Sequence, residues 1–261
     1  MGVVSTLMQG RSLILFAFAM LAAMPAAADF RAASEAFRAG HYDRAFAEAG
    51  GEQTAESHAF RARTLLAKAM CGDEDPPRSL IDQALSEAEI ALSLEPDHLE
   101  GRLQKAISLS LILRPMSISE ARKTGYGELS RTLAESVLED APGNFYAHGF
   151  LAVWHVEVER RGGMIGAAIM GASLKAARRH YEEAVRLAPA DIGLRWQWAR
   201  ALAALDARKH QAEITLALEA AVGTAPATDL DKVMQARAAR LLEVVARDKP
   251  RDVERLALAM L

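Results

Sequence analysis

The chain has 261 residues, 31 Lys and Arg against 34 Asp and Glu, and one cysteine, Cys71. This mildly acidic balance lacks the basic stripe that nucleic-acid binding requires, and a single cysteine excludes an internal disulfide. Alanine and leucine are abundant, aromatic residues are few, and β-branched residues do not alternate with polar ones along any stretch. The composition therefore predicts an all-α protein that its core alone stabilises, with no nucleic-acid partner.

The N-terminus has the layout of an export signal. Arg11 precedes an apolar run over 13–24, and small residues then lead to Ala28 and Asp29. A positive charge, a short apolar run and an A-x-A site are typical of a secretory signal peptide. The run is shorter than the ~20 residues of a membrane span, although an uncleaved anchor remains the alternative. We predict that residues 1–28 are cleaved off before Asp29 and that the mature protein is secreted or periplasmic.

Three prolines, Pro96, Pro142 and Pro189, close segments with the same spacing. Five, eight and twelve residues before them stand mostly small residues: Ala91, Ala88 and Ala84; Val137, Ala134 and Ser130; Ala184, Tyr181 and Ala177. Nine and ten residues after them stand Lys105-Ala106, Leu151-Ala152 and Trp198-Ala199. Such offsets put each set on one face of a helix, where small side chains let another helix approach closely. The pattern predicts repeated helix pairs.

The segments AEIALSLEPDH (88–98), AESVLEDAPGN (134–144) and YEEAVRLAPAD (181–191) resemble the second helix and closing turn of the tetratricopeptide repeat (TPR) family. AFRAGHYDRAFAEA (36–49) resembles the turn between its two helices. The resemblance implies an all-α fold, an α-solenoid of TPR-like helix pairs with a C-terminal capping helix. A weaker similarity in layout, which includes TDLDKVMQARAARLL, is to the regulator-of-microtubule-dynamics branch of TPR-like proteins.

The repeat period departs from the family's. The prolines lie 46 and 47 residues apart, against about 34 in the family, so each unit holds an insertion between its helices. We place insertions at 73–80, 114–127 and 160–175. One TPR-like domain is predicted over 29–261, with repeat units at roughly 30–51, 54–96, 97–142, 143–189 and 190–226, and capping helices at 228–261.

The resemblance also implies a concave surface, because the first helices of TPR units line one. Its members by alignment are Leu103, Ile107, Leu111, Tyr146, Val153, Val156, Trp196 and Arg200. Trp198 aligns with Leu151 and is expected in the core, whereas Trp196, two residues away, cannot share that face. The implied groove is apolar, and it is either open to a partner or filled by the insertions and the capping helices.

The segment GGMIGAAIMGASL (162–174) has no charged residue, while arginines and a lysine flank it. Thirteen helical residues reach only about 20 Å, short of a ~30 Å hydrocarbon core. The segment could contact a membrane surface, present small residues to a partner helix, or fold back over its own repeat. We favour folding back, because soluble proteins usually cover such apolar patches.

Candidate chemistry is sparse. His148 and His155 lie seven apart on one helical face, but two histidines do not close a metal coordination sphere, so we interpret them as structural. No HExxH, P-loop, GxSxG or Cys/His metal spacing occurs, so no enzyme, cofactor or metal is expected. The sequence predicts an exported adaptor that binds a protein or peptide in the cell envelope. The alternative is a carrier of a small apolar molecule or lipid.

Overall fold

The computed structural model describes residues 26–72 and 76–260 of the chain. In these residues no strand occurs, which confirms the all-α prediction. The helices are α1 (Ala26–Arg38), α2 (Tyr42–Glu48), α3 (Ala55–Cys71), α4 (Arg78–Leu94), α5 (Leu99–Leu113), α6 (Ile118–Thr124), α7 (Tyr126–Asp140), α8 (Phe145–Met170), α9 (Leu174–Leu187), α10 (Ile192–Asp206), α11 (Gln211–Gly223), α12 (Asp229–Val245) and α13 (Pro250–Ala259), with a 3-10 turn at Ala49–Gly51. Nearly all of the predicted signal peptide lies outside the described residues, and its cleavage stays a prediction.

The helices pack as consecutive pairs, α1 with α2, α3 with α4, α5 with α7, α8 with α9 and α10 with α11. Each pair also contacts the next one through α2 and α3, α4 and α5, α7 and α8, and α8 and α10. The short helix α6 occupies the predicted insertion between α5 and α7. Because successive pairs stack on one another along the chain, the arrangement is an α-solenoid.

The proline turns set the start of each following helix. Two residues after each of Pro96, Pro142, Pro189 and Pro226, a polar side chain accepts a hydrogen bond from a backbone N–H of the first helical turn, and these N-caps are His98, Asn144, Asp191 and Thr228. N-caps of this kind satisfy N–H groups that have no partner within the helix. The same turn chemistry at four places gives successive helix pairs a common register.

The small-residue face is the contact surface between helices. All eight small or medium residues at the predicted offsets are buried: Ala84, Ala88, Ala91, Ser130, Ala134, Val137, Ala177 and Ala184. Tyr181, the ninth, is partly buried and stacks on Trp198 with ring centroids 4.5 Å apart. Ala106, Ala152 and Ala199 are buried as well. The predicted helix packing is therefore confirmed.

Replacing Ala199 with leucine should lower the free energy of unfolding by ~1–3 kcal/mol. Ala199 is fully buried in the largest core cluster, and three extra carbon atoms have no space there. Thermal melts would measure the loss. Ala212→Leu, on the exposed side of α11, is the matched control and should leave the midpoint nearly unchanged. Equal melting of the two variants would contradict the assigned packing face.

The apolar segment 162–174 is helical up to Met170, and α8 bends sharply within it. Gly163 has φ 60° and ψ −169°, a backbone conformation that is essentially restricted to glycine. After the bend, Ala167 packs in a cluster with Trp154, so the segment does fold back on its inner side. Its outer side is uncovered, because Met164, Ile165 and Ile169 are 86%, 78% and 68% exposed. Folding back over the repeat therefore covers only one side of the segment.

Candidate functional site

A groove of about 1060 Å³ runs along the inner side of the solenoid. Its walls come mainly from α5, α8 and α10, the first helices of three successive units, and from α3 and α12 at its ends. Four, eight and eleven residues after each closing proline stand the lining residues Glu100, Gln104 and Ile107; Tyr146, Phe150 and Val153; Gly193, Gln197 and Arg200. One face of each first helix therefore builds the groove.

Six of the eight residues that the sequence predicted for this surface do line it: Leu103, Ile107, Leu111, Tyr146, Val153 and Arg200. Tyr146 is half exposed, whereas Leu103 contributes to the wall while almost fully buried. Phe150, Glu157 and Gln197 were missed. The spacing contains the signal for them, because steps of four, three and four residues from Tyr146 reach Phe150, Val153 and Glu157 on one helical face.

The placement of Trp196 and Val156 in the groove is wrong. Both side chains are fully buried, and neither borders the cavity. Each lies one residue before a lining position, Gln197 or Glu157, and one residue turns a side chain by about 100° around the helix. That turn directs them toward packed neighbours. They belong to the core cluster that also holds Trp198.

The C-terminal helices cover one end of the groove. α12 and α13 both pack on α10, and Leu230 and Met234 of α12 form part of the groove wall. Arg237 on α12 donates to the carbonyl oxygens of Met70 at 2.6 Å and Gly72 at 2.5 Å, at the end of α3. The last helices therefore reach back across the solenoid to its N-terminal half, and the groove is partly closed.

A second contact ties the C-terminus to the middle of the solenoid. Arg114, the residue after α5, donates to the carbonyl oxygens of Leu258 at 2.8 Å and Met260 at 3.1 Å. Where α12 begins, the chain passes so close to the α1–α2 turn that a Cβ on Gly40 would lie 2.5 Å from Asp229 Oδ2. Guanidinium groups on helix C-terminal carbonyls are favourable, since the helix dipole is negative there.

Several of the charged side chains in the groove form ion pairs with each other. Arg63 faces Glu100 at 3.4 Å, and Glu157 lies between Arg160 at 2.7 Å and Arg200 at 3.3 Å. Burial acts to raise the pKa of Glu157, but Arg200 and Arg160 outweigh it and hold that pKa below its usual range. Arg200 is buried by these contacts. It is therefore not available to bind an anionic group of a partner.

The two histidines singled out in the sequence belong to a group of three. His148 Nδ1 lies 2.9 Å from His180 Nδ1, and the rings of His155 and His180 stack with centroids 5.8 Å apart. His148 Nε2 donates to the carbonyl of Pro142, and His155 Nδ1 accepts from the backbone N–H of Ser173 at 3.4 Å. The rings join α8 to α9. No group able to hold a metal ion is found among the described residues.

Repeated helix pairs, proline turns and a concave inner surface define a TPR-like α-solenoid. The chain is similar in structure to TTC0263, a thermophilic TPR protein of Thermus thermophilus, with a TM-score of 0.57 and 20% sequence identity. The similarity covers 82% of this chain and 97% of that chain. No family model and no curated protein matches the sequence. The likeness therefore establishes the fold that the TPR resemblance predicted.

Proposed function

We propose that this chain is an exported TPR-type scaffold that holds an apolar segment of a partner protein in its groove. The observation that carries the proposal is the lining, in which Ile107, Leu111, Phe150 and Val153 form a strip along successive first helices. Arg63 with Glu100, and Glu157 with Arg160 and Arg200, already form ion pairs in the groove. An amphipathic helix can lay its apolar face into such a strip.

The proposal also covers the location of the protein and the class of molecule that it binds. The signal-like N-terminus supports an envelope location, where the protein acts as an adaptor by binding and not by catalysis. A TPR-like fold supports protein partners in general, since its extended inner surface suits a chain that runs across several repeats. No helix among the described residues combines the length and hydropathy that crossing a membrane requires.

Replacing Tyr146 with alanine should weaken partner binding about tenfold or more without unfolding the protein. Tyr146 is 49% exposed on the groove face, and buried aromatic side chains dominate the binding energy of interfaces. The measurement is the affinity for the polypeptide that co-purifies from envelope extract, together with a thermal melt.

Leu94→Ala is the matched control for this variant. Leu94 is a similarly exposed apolar residue at the end of α4, outside the groove. It should bind the partner like the parent protein. Equal binding by the Tyr146 and Leu94 variants would show that the partner does not use the groove, and the proposal would be abandoned.

A second candidate is a carrier of a small apolar molecule or lipid. The observation in its favour is the closure of the groove by α12 and α13, with a volume close to the ~300–1000 Å³ typical of small-molecule sites. Native mass spectrometry of protein purified from its own host separates the two candidates. A retained small apolar mass supports the carrier, whereas a bound polypeptide supports the scaffold.

A further inference from the structure

The part of α8 that follows Gly163 carries an apolar surface on its outer side, which we name the apolar tip: Met164, Ile165, Ala168 and Ile169. At 100° per residue these four side chains span an arc of about 140°. The opposite side holds Ala167 and Met170, which pack inward in the Trp154 cluster. Residues 164–170 include no polar side chain, so the solvent-facing side of this helical turn is wholly apolar.

Positive charge is concentrated around the apolar tip. The insertions at 114–127 and 160–175 together hold six Lys and Arg residues and one Glu residue. The chain as a whole has 31 Lys and Arg against 34 Asp and Glu, so the rest of it is acidic. The one carboxylate, Glu120, is engaged in the capping box of α6 with Ser117. The two insertions are therefore basic regions on an acidic protein.

These two insertions lie against each other. Arg161, just before the bend, donates to the carbonyl oxygens of Leu113 at 3.0 Å and Met116 at 2.5 Å, where α6 is about to begin. Arg131 of α7 donates to the carbonyl oxygen of Met170 at 2.6 Å. One end of the tip is thus fastened to the segment that follows α5, and the other end is fastened to α7. The geometry holds the tip in one orientation with its apolar side outward.

Exposed cations lie on two helices that adjoin the tip. Arg122 and Lys123 lie on α6, and Lys175 and Arg179 lie on α9, which follows the tip in the chain. Arg122 and the half-exposed Ile118 line the same groove as Ile165 and Ile169. An apolar protrusion accompanied by exposed cations matches an anionic lipid surface, which offers phosphates above an apolar interior.

We propose that the apolar tip docks this protein on an anionic membrane surface. Met164, Ile165 and Ile169 enter the boundary between headgroups and acyl chains, and Arg122, Lys123, Lys175 and Arg179 contact the lipid phosphates. A second copy of the chain is a poorer occupant, because a symmetric contact would bring two sets of exposed cations together. The proposal does not depend on what the groove binds.

Flotation with vesicles tests the proposal. The protein should bind vesicles of phosphatidylcholine mixed with phosphatidylglycerol about tenfold more tightly than vesicles of phosphatidylcholine alone, and added salt should weaken the binding. Ile165→Ser/Ile169→Ser should lower binding to the anionic vesicles about tenfold or more, and Arg122→Ser/Lys123→Ser should do the same. The parent protein and all variants are prepared with the chain starting at the same residue. Any contribution of residues 1–28 to vesicle binding is then the same in every protein compared.

Matched controls lie elsewhere on the surface. Leu216→Ser removes an apolar side chain that is 71% exposed on α11, and Arg208→Ser/Lys209→Ser removes two exposed cations between α10 and α11. Both should bind vesicles like the parent protein, as should Tyr146→Ala, which tests the groove separately.

Vesicle binding that is absent, or equally strong with the tip variant and its control, would overturn the proposal. So would a dimer in sedimentation equilibrium that Ile165→Ser/Ile169→Ser abolishes while the parent protein ignores anionic vesicles. In that case the tip would be a contact between copies of the chain. Neither result would affect the proposed binding of a partner in the groove.

Discussion

Replacing Trp196 with alanine lowers the free energy of unfolding by ~3–5 kcal/mol, and Trp198→Ala lowers it by a similar amount. Trp196 is fully buried and Trp198 is 2% exposed, although two residues along a helix place their side chains on different faces. α10 is packed on both faces, against α8 and α11 and against α12 and α13. For a chain of this size the expected fall in the thermal midpoint is roughly 6–20 °C.

Trp196→Phe and Leu216→Ala are the controls for this experiment. Phenylalanine retains much of the buried area and should recover a large part of the stability, whereas Leu216 is exposed and its truncation should have little effect. If Trp196→Ala melted like the parent protein while Trp198→Ala collapsed, α12 and α13 would not cover that face of α10. Trp196 would then be a groove residue after all.

The helix pairs could be predicted because their signals are local. Pro96, Pro142 and Pro189 mark turns, and the small residues counted back from them lie where helices touch. Each of these signals is contained within about a dozen residues of sequence. Side-chain periodicity therefore predicted the helix pairs and their contact faces, and the resemblance to TPR repeats implied the solenoid.

The groove was predicted less completely, for two physical reasons. First, its lining obeys a strict spacing, and an alignment that slips by one residue, as at Trp196 and Val156, moves a side chain from the groove to a packed face. Second, the closure by α12 depends on how far the solenoid curves over five helix pairs. That curvature is a sum of small rotations at each interface, and no short stretch of sequence encodes it.

The histidine group shows a similar limit. His148 and His155 were visible as a pair on one helix, but their third member, His180, lies on α9 and is brought to them only by packing. A carbonyl accepts from His148 Nε2, so in the neutral tautomer His148 Nδ1 accepts and His180 Nδ1 donates. Arg131 and Arg179 lie close enough to the His155 ring, and Arg179 to the His180 ring, to oppose a positive charge on them.

Stability should therefore fall as the pH drops from about 6.5 to about 4. Burial, helped by Arg131 and Arg179, lowers the pKa of His155 to about 4, and burial together with His148, His155 and Arg179 lowers the pKa of His180 to about 4. Below the ordinary histidine pKa of about 6.5, the imidazoles of His155 and His180 bind protons in the unfolded chain but stay neutral in the folded chain. Unfolding therefore becomes more favourable as the pH falls. Because His180 is only partly buried, we expect ~2–3 kcal/mol from the two rings together.

Chemical denaturation of the parent protein and of His155→Gln/His180→Gln, at about pH 7 and about pH 4.5, isolates this effect from the carboxylates, which titrate in both proteins. The double variant should lose less stability between the two pH values than the parent by ~2–3 kcal/mol, because glutamine takes up no proton. His41→Gln replaces an exposed histidine far along the chain from the group, and this variant should lose as much stability between the two pH values as the parent does. An equal loss in the parent and in the double variant would mean that both rings accept protons in the folded state. The packing of α8 on α9 would then not exclude charge as the structure requires.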